Sequence, residues 1–80
     1  MSEIKVYSTS MCPWCKRLKE YLNQKGIEFT DVNVAEDVEE REEMMKKSGQ
    51  MGVPQIEING KIIVGFDQAS IDAEINKNER

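Results

Sequence analysis

Cys12 and Cys15 are the only cysteines in this 80-residue chain, and only Pro13 and Trp14 separate them. Sulfurs at that spacing can pass between a dithiol and a disulfide. The exchange runs by attack of a thiolate on a disulfide sulfur, so one cysteine must be reachable and ionised while the other waits to attack in turn. No histidine is present, which removes the commonest general base and metal ligand and excludes Cys–His nucleophilic catalysis. Whatever chemistry the chain performs falls to sulfur.

The flanking residues place the two thiols unequally. Ile4-Lys5-Val6-Tyr7 reads as a short strand that runs into the polar loop Ser8-Thr9-Ser10, so the cysteines follow a strand's carboxyl end. Pro13 suits a first helical position and Gly26 the position just past a helix end, which predicts a helix of about Pro13 to Lys25. At about 100° per residue, Cys15, Leu18 and Leu22 share an apolar stripe with Trp14 and Tyr21 along its edge, while Lys16, Lys19, Glu20 and Asn23 face elsewhere. Cys15 therefore points inward. Cys12 precedes the helix proper, beside the unpaired N–H groups of its first turn, and should be the more exposed sulfur. Those groups and the helix dipole, about half a positive charge, favour a thiolate there, and Lys16 adds a weaker field.

Further along, Ile27 to Val34 reads as a second strand. Ile27 and Phe29 fall in one parity and Val32 and Val34 in the other, which points to a bulge or kink near Thr30-Asp31. Asp37-Val38-Glu39-Glu40 has the order of a capping box, and the helix it opens closes on Lys46-Lys47 and Gly49, with Val38, Met44 and Met45 as its core side. Gln55-Ile56-Glu57-Ile58 and Lys61-Ile62-Ile63-Val64 flank Asn59-Gly60, which specifies a β-hairpin with a type I′ turn. Asp67 can cap a last helix with Ala69, Ile71 and Ile75 as apolar contacts, and residues from Asn76 to Arg80 form a polar end. The order is βαβαββα. A first βαβ unit implies a parallel pair and the hairpin adds antiparallel strands, which gives an α/β fold with a four-stranded mixed sheet and helices on both faces.

Composition narrows the function classes. Eighty residues suit a single domain spanning 1–80. The formal net charge of −4 gives no electrostatic footprint for nucleic acid or anionic lipid. The start lacks a secretory leader and no apolar run has membrane-spanning length, so a cytoplasmic setting is expected, where a reducing environment keeps the cysteines as thiols except during turnover. Zinc would need ligands from a second chain, because two cysteines supply half of a tetrahedral shell. A soft-metal carrier is the competing class, since Met11 lies beside the cysteine pair; copper-handling modules of that kind place methionine two residues before the first cysteine, where this chain has Ser10, and follow the order βαββαβ.

Across nearly its whole length the chain resembles the glutaredoxins, small members of the thioredoxin-fold family. Cys12-Pro13-Trp14-Cys15 resembles their Cys-Pro-Tyr-Cys site, Ser48 to Pro54 their segment before a cis-proline, Ile58-Asn59-Gly60 their hairpin turn, and Gly65-Phe66-Asp67 their glutathione loop. The resemblance implies a thioredoxin-like fold and a thiol–disulfide oxidoreductase serving cell redox homeostasis, with Cys12 as nucleophile and Cys15 as resolving thiol. It implies a substrate or glutathione site formed by Pro13, Trp14, Gln50, Val53, Pro54, Gly65, Phe66 and Asp67, in which Val53 offers its backbone to a docked peptide and Pro54 fixes it. Residues alone leave the isomer of the Val53–Pro54 bond open, a trans proline at an edge strand being the other reading. No bound cofactor is implied, and glutathione enters as co-substrate. Iron–sulfur-bridged pairs of some relatives go with a less restrictive residue than Pro13.

Several positions depart from the family pattern. Thr9 stands where a lysine is common, Met51-Gly52 where many relatives have Arg-Thr, Val64 replaces the first glycine of a Gly-Gly pair, and Gln68 the second aspartate of an Asp-Asp pair. The first two changes remove groups that would hold glutathione's carboxylates. Gly65-Phe66 also resembles the glutaredoxin-like hydrogen donors of ribonucleotide reductase, which take electrons from thioredoxin reductase. Expected partners are therefore glutathione, thioredoxin reductase or both, together with disulfide-containing proteins, and the chain is expected to act as a monomer. Trp14 reads as half core and half docking surface, while Lys16, Arg17 and Lys19 could steer an anionic partner.

Overall fold

The computed structural model describes residues 3–78. The elements follow in the order β1 (Ile4–Ser8), α1 (Pro13–Gln24), β2 (Thr30–Asn33), α2 (Val38–Ser48), β3 (Gln55–Ile58), β4 (Lys61–Val64) and α3 (Gln68–Asn78). The strands form one mixed sheet in the order β2-β1-β3-β4. β1 runs parallel to β2 and antiparallel to β3, which closes the hairpin with β4. Asn59 and Gly60 both take positive φ, 48° and 92°, as a type I′ turn requires.

Register decides which side chains meet each layer of helices. The pairs Ile4 with Ile58, Val6 with Ile56 and Ile56 with Ile63 put one apolar set on a single face, because strand side chains alternate. There they join Leu18 and Leu22 of α1 and Ile71 and Ile75 of α3 in the larger core. The opposite face carries Tyr7, Val34 and Met44, with Val32, Val53 and Ile62 packed against them, and α2 covers it.

Four expectations need correcting. β2 covers only Thr30–Asn33: Ile27 and Phe29 lie in the connection from α1 and still pack against the larger core, so their apolar character reflects burial of a loop rather than a strand. The parity change marks the point where the chain crosses from that loop to the α2 face. Along α2, Met44 alone is buried, whereas Val38 and Met45 are 52% and 47% exposed, because this helix lays a narrow seam on the sheet. Its capping box is half made: Asp37 Oδ1 accepts the Glu40 N–H at 3.1 Å, while the Glu40 carboxylate turns to Lys5 at 2.9 Å. In α3, Ala69 is exposed, and the polar end is helical as far as Asn78; Glu79 and Arg80 lie outside the described residues. No described helix is long and apolar enough to cross a membrane.

Candidate active site

Both sulfurs sit where β1 hands over to α1. Pro13 occupies the first helical turn, where its missing N–H costs nothing, and Cys12 takes the cap position with extended backbone. A cap side chain must accept a hydrogen bond from a free N–H of the first turn, and here the Cys12 Sγ does so from Cys15 N–H at 3.2 Å. An anionic sulfur is a better acceptor than a neutral thiol, and the positive end of the helix lies beside it. Cys12 is half-buried and Cys15 is 0% exposed; both are free thiols.

Burial is the main cause that pushes the Cys15 thiol up from its ordinary value of 9.0 to about 11. Its hydrogen bond and charge interaction with Cys12 act in the same direction, and the Thr9 backbone and Lys19 oppose them. At neutral pH the inner sulfur is thus a thiol. The outer one is the sulfur that a substrate can meet.

The loop across from Cys12 is held from two sides. The Cys12 thiol donates to the Val53 carbonyl at 3.8 Å, and the Val53–Pro54 bond is cis. The Gly65 N–H donates to the Pro54 carbonyl at 2.8 Å, which draws the start of the 65–67 loop against the same segment. At φ 84°, Gly65 occupies the left-handed region that a side chain would strain. On the α2 side, fully buried Gln55 gives both hydrogens of its amide to the loop, one to the Gln50 carbonyl at 3.0 Å and one to that of Gly52 at 2.8 Å. Sequence reasoning missed Gln55. The available signal was a long polar residue at the first position of a strand whose alternate residues are apolar.

The structure therefore gathers Cys12, Pro13, Cys15, Val53, Pro54 and Gly65. Trp14, 55% exposed, faces outward with the Arg17 guanidinium 4.7 Å from its ring centre, so it belongs to the surface beside Cys12 and not to the core. Phe66 turns inward, half-buried against the larger core with its ring 5.5 Å from that of Tyr21. Asp67 caps α3, its carboxylate accepting the Ser70 N–H at 3.3 Å and the Ser70 hydroxyl at 2.9 Å. Gln50 lies exposed in the loop after α2, where its own carbonyl serves the Gln55 clamp. Met51, 54% exposed, is the next residue on that rim.

A mixed sheet of this order with a dithiol at the mouth of its first helix defines a thioredoxin-like fold with redox capability. The sequence model of the glutaredoxin family matches residues 4–63. An uncharacterized glutaredoxin-like 8.6 kDa protein in the rubredoxin operon of Clostridium pasteurianum is 62% identical over 74 residues, covering 92% of this chain and 99% of that protein. Glutaredoxin 3 of Escherichia coli K12 is 39% identical over 67 residues, covering 84% of this chain and 81% of its own length. Among solved structures, a glutaredoxin from Archaeoglobus fulgidus superposes with a TM-score of 0.83 at 28% identity, over 94% of this chain and 87% of that one. The chain belongs to the glutaredoxin family, and its activity is of the thiol–disulfide oxidoreductase class.

Proposed function

We propose that Cys12 is the nucleophile and Cys15 the resolving thiol of a monomeric, cytoplasmic reductase acting on protein disulfides and glutathione mixed disulfides. One observation carries the assignment: Cys12 caps the helix and faces the Val53 carbonyl, whereas Cys15 is sealed beneath it. The Cys12 thiolate attacks a substrate disulfide; one S–S bond breaks as another forms, and the departing thiolate takes a proton from water. Cys15 then loses its proton to solvent and attacks Cys12 Sγ. The mixed disulfide breaks, the second substrate sulfur leaves as a thiol, and the Cys12–Cys15 disulfide holds the oxidation that the substrate has lost.

Once Cys12 is part of a mixed disulfide it no longer presents a thiol or a charge to Cys15. Two of the causes that raise the inner thiol are then gone, while the Thr9 backbone and Lys19 remain to lower it. The second sulfur thus becomes easier to ionise at the stage that needs it. Pro13, Trp14, Gln50, Val53, Pro54, Gly65 and Asp67 are proposed to form the docking surface, with Phe66 anchoring the 65–67 loop in the core and the Val53 backbone as the contact for an extended peptide or for glutathione.

Electrons come from glutathione or from thioredoxin reductase, which would make the chain a hydrogen donor to an enzyme such as ribonucleotide reductase. Favouring the second donor, the rim presents uncharged Thr9 and exposed Met51 where a carboxylate-bearing tripeptide would need cations. Two NADPH-coupled assays separate the donors, one through glutathione and its reductase and one through thioredoxin reductase. Turnover with glutathione is expected to be weak beside that of Escherichia coli glutaredoxin 3 measured in parallel. Brisk turnover at low glutathione would overturn the expectation.

A further inference from the structure

On α1, Lys19 lies one turn beyond Cys15, a spacing at which helical side chains are neighbours. Its ammonium pairs at the surface with the Asp31 carboxylate of β2 at 3.1 Å, and the buried Ser8 hydroxyl donates to the other Asp31 oxygen at 2.8 Å. Ser8 ends β1 and adjoins Thr9, whose carbonyl accepts the Cys12 N–H at 3.4 Å. A chain of three polar groups thus links α1 to the parallel pair β1/β2, buried at Ser8 and open to solvent at the Lys19–Asp31 pair.

Packing alone does not require a cation there, since a neutral side chain of similar length would cover the same surface. From this geometry we infer that Lys19, anchored by Asp31 and Ser8, is a positioning residue for the resolving step: its charge favours the Cys15 thiolate as that sulfur attacks Cys12 in the mixed disulfide. The inference rests on the assignment of Cys15 as resolving thiol and adds the group that eases its ionisation. Other charged or titratable neighbours are Cys12, whose sulfur is covalently engaged at that stage, and Asp31, whose carboxylate offsets part of the Lys19 charge and would stand uncompensated in Lys19→Gln. The α3 carboxylates are committed elsewhere, Asp67 to the cap, Asp72 to Tyr21 and Lys25, and Glu74 to Lys61.

No bond or electron is added to the reaction. Cys15 gives its proton to water, its sulfur bonds to Cys12, and the bond from Cys12 to the substrate sulfur breaks.

Stopped-flow reduction of the neutral disulfide 4,4′-dithiodipyridine by the reduced protein separates the two steps. The first thiopyridone appears in a concentration-dependent phase from attack by Cys12, and the second in a unimolecular phase from attack by Cys15. Lys19→Gln is expected to slow the second phase about three- to tenfold at pH 7 and to move its pH profile upward, since tenfold corresponds to one pH unit in ionisation. The first phase should stay within about twofold of wild type, and Lys19→Arg should restore the second, because it keeps the charge. An unmoved second-phase pH profile in Lys19→Gln, or an arginine variant as slow as the glutamine one, overturns the role of Lys19 and leaves Cys15 as resolving thiol untouched. Loss of the two-phase release in the wild type would instead defeat the assignment of Cys15 itself.

Discussion

A Cys12→Ser protein is expected to lose reduction of protein disulfides and of glutathione mixed disulfides together, by about 10³-fold or more, down to the rate of the uncatalysed exchange. Serine keeps the size and the capping bond, and α1 should still begin at Pro13; what disappears is an atom that can attack a disulfide at neutral pH. Cys15→Ser should divide the two reactions. A glutathione mixed disulfide can be cleared by Cys12 and a second molecule of glutathione, so that rate should persist, whereas a protein disulfide needs the second sulfur in the same molecule to free the trapped substrate. Covalent capture of a disulfide-containing protein by Cys15→Ser, reversed by dithiothreitol, is the companion readout. A Cys12→Ser protein that works at the wild-type rate would reverse the assignment, as would a Cys15→Ser protein that reduces protein disulfides undiminished.

The second large effect is a loss of stability in alkali that belongs to Cys15. In the unfolded chain this thiol ionises near its ordinary 9.0, and in the fold burial holds it protonated to about 11. The folded state therefore favours the neutral thiol. That contribution is complete below about pH 9, drains away as pH rises through 11, and corresponds to up to about 100-fold in the folding equilibrium constant across the window. Urea midpoints for reduced wild type and Cys15→Ala at pH 7, 9, 10 and 11 check the sign. The gap between the two proteins should be constant from pH 7 to 9 and should shift against the wild type between 9 and 11. Parallel curves over the whole range would mean that the inner thiol is not held protonated by the fold.

Much of the site can be read from the sequence because it rests on local rules. Pro13 after a strand-like run marks a helix start whatever surrounds it, the stripe of Cys15, Leu18 and Leu22 identifies the buried sulfur, and Asn59-Gly60 allows one kind of turn. What escaped depends on how elements meet in space. Ile27 and Phe29 pack under α1 from an irregular connection, and apolar residues look alike whether a strand or a loop buries them. Val38 and Met45 share a helix with Met44, but of the three only Met44 lies on the side turned to the sheet. Gln55 reads as an ordinary strand residue until the loop from Gln50 to Gly52 folds back over it and takes both of its amide hydrogens. Lys19 looked like surface charge on the far side of α1; its pairing with Asp31 needs β2 laid parallel beside β1, a long-range fact that no local pattern contains.

Mass-spectrometric mapping of iodoacetamide labelling on the reduced, folded protein at pH 7 is the most direct measurement of the difference between the two sulfurs. Label is expected on Cys12, with Cys15 left untouched until the chain is unfolded, because one thiol caps an open helix end and the other is sealed and protonated. Equal labelling of both cysteines, or preference for Cys15, would contradict the account.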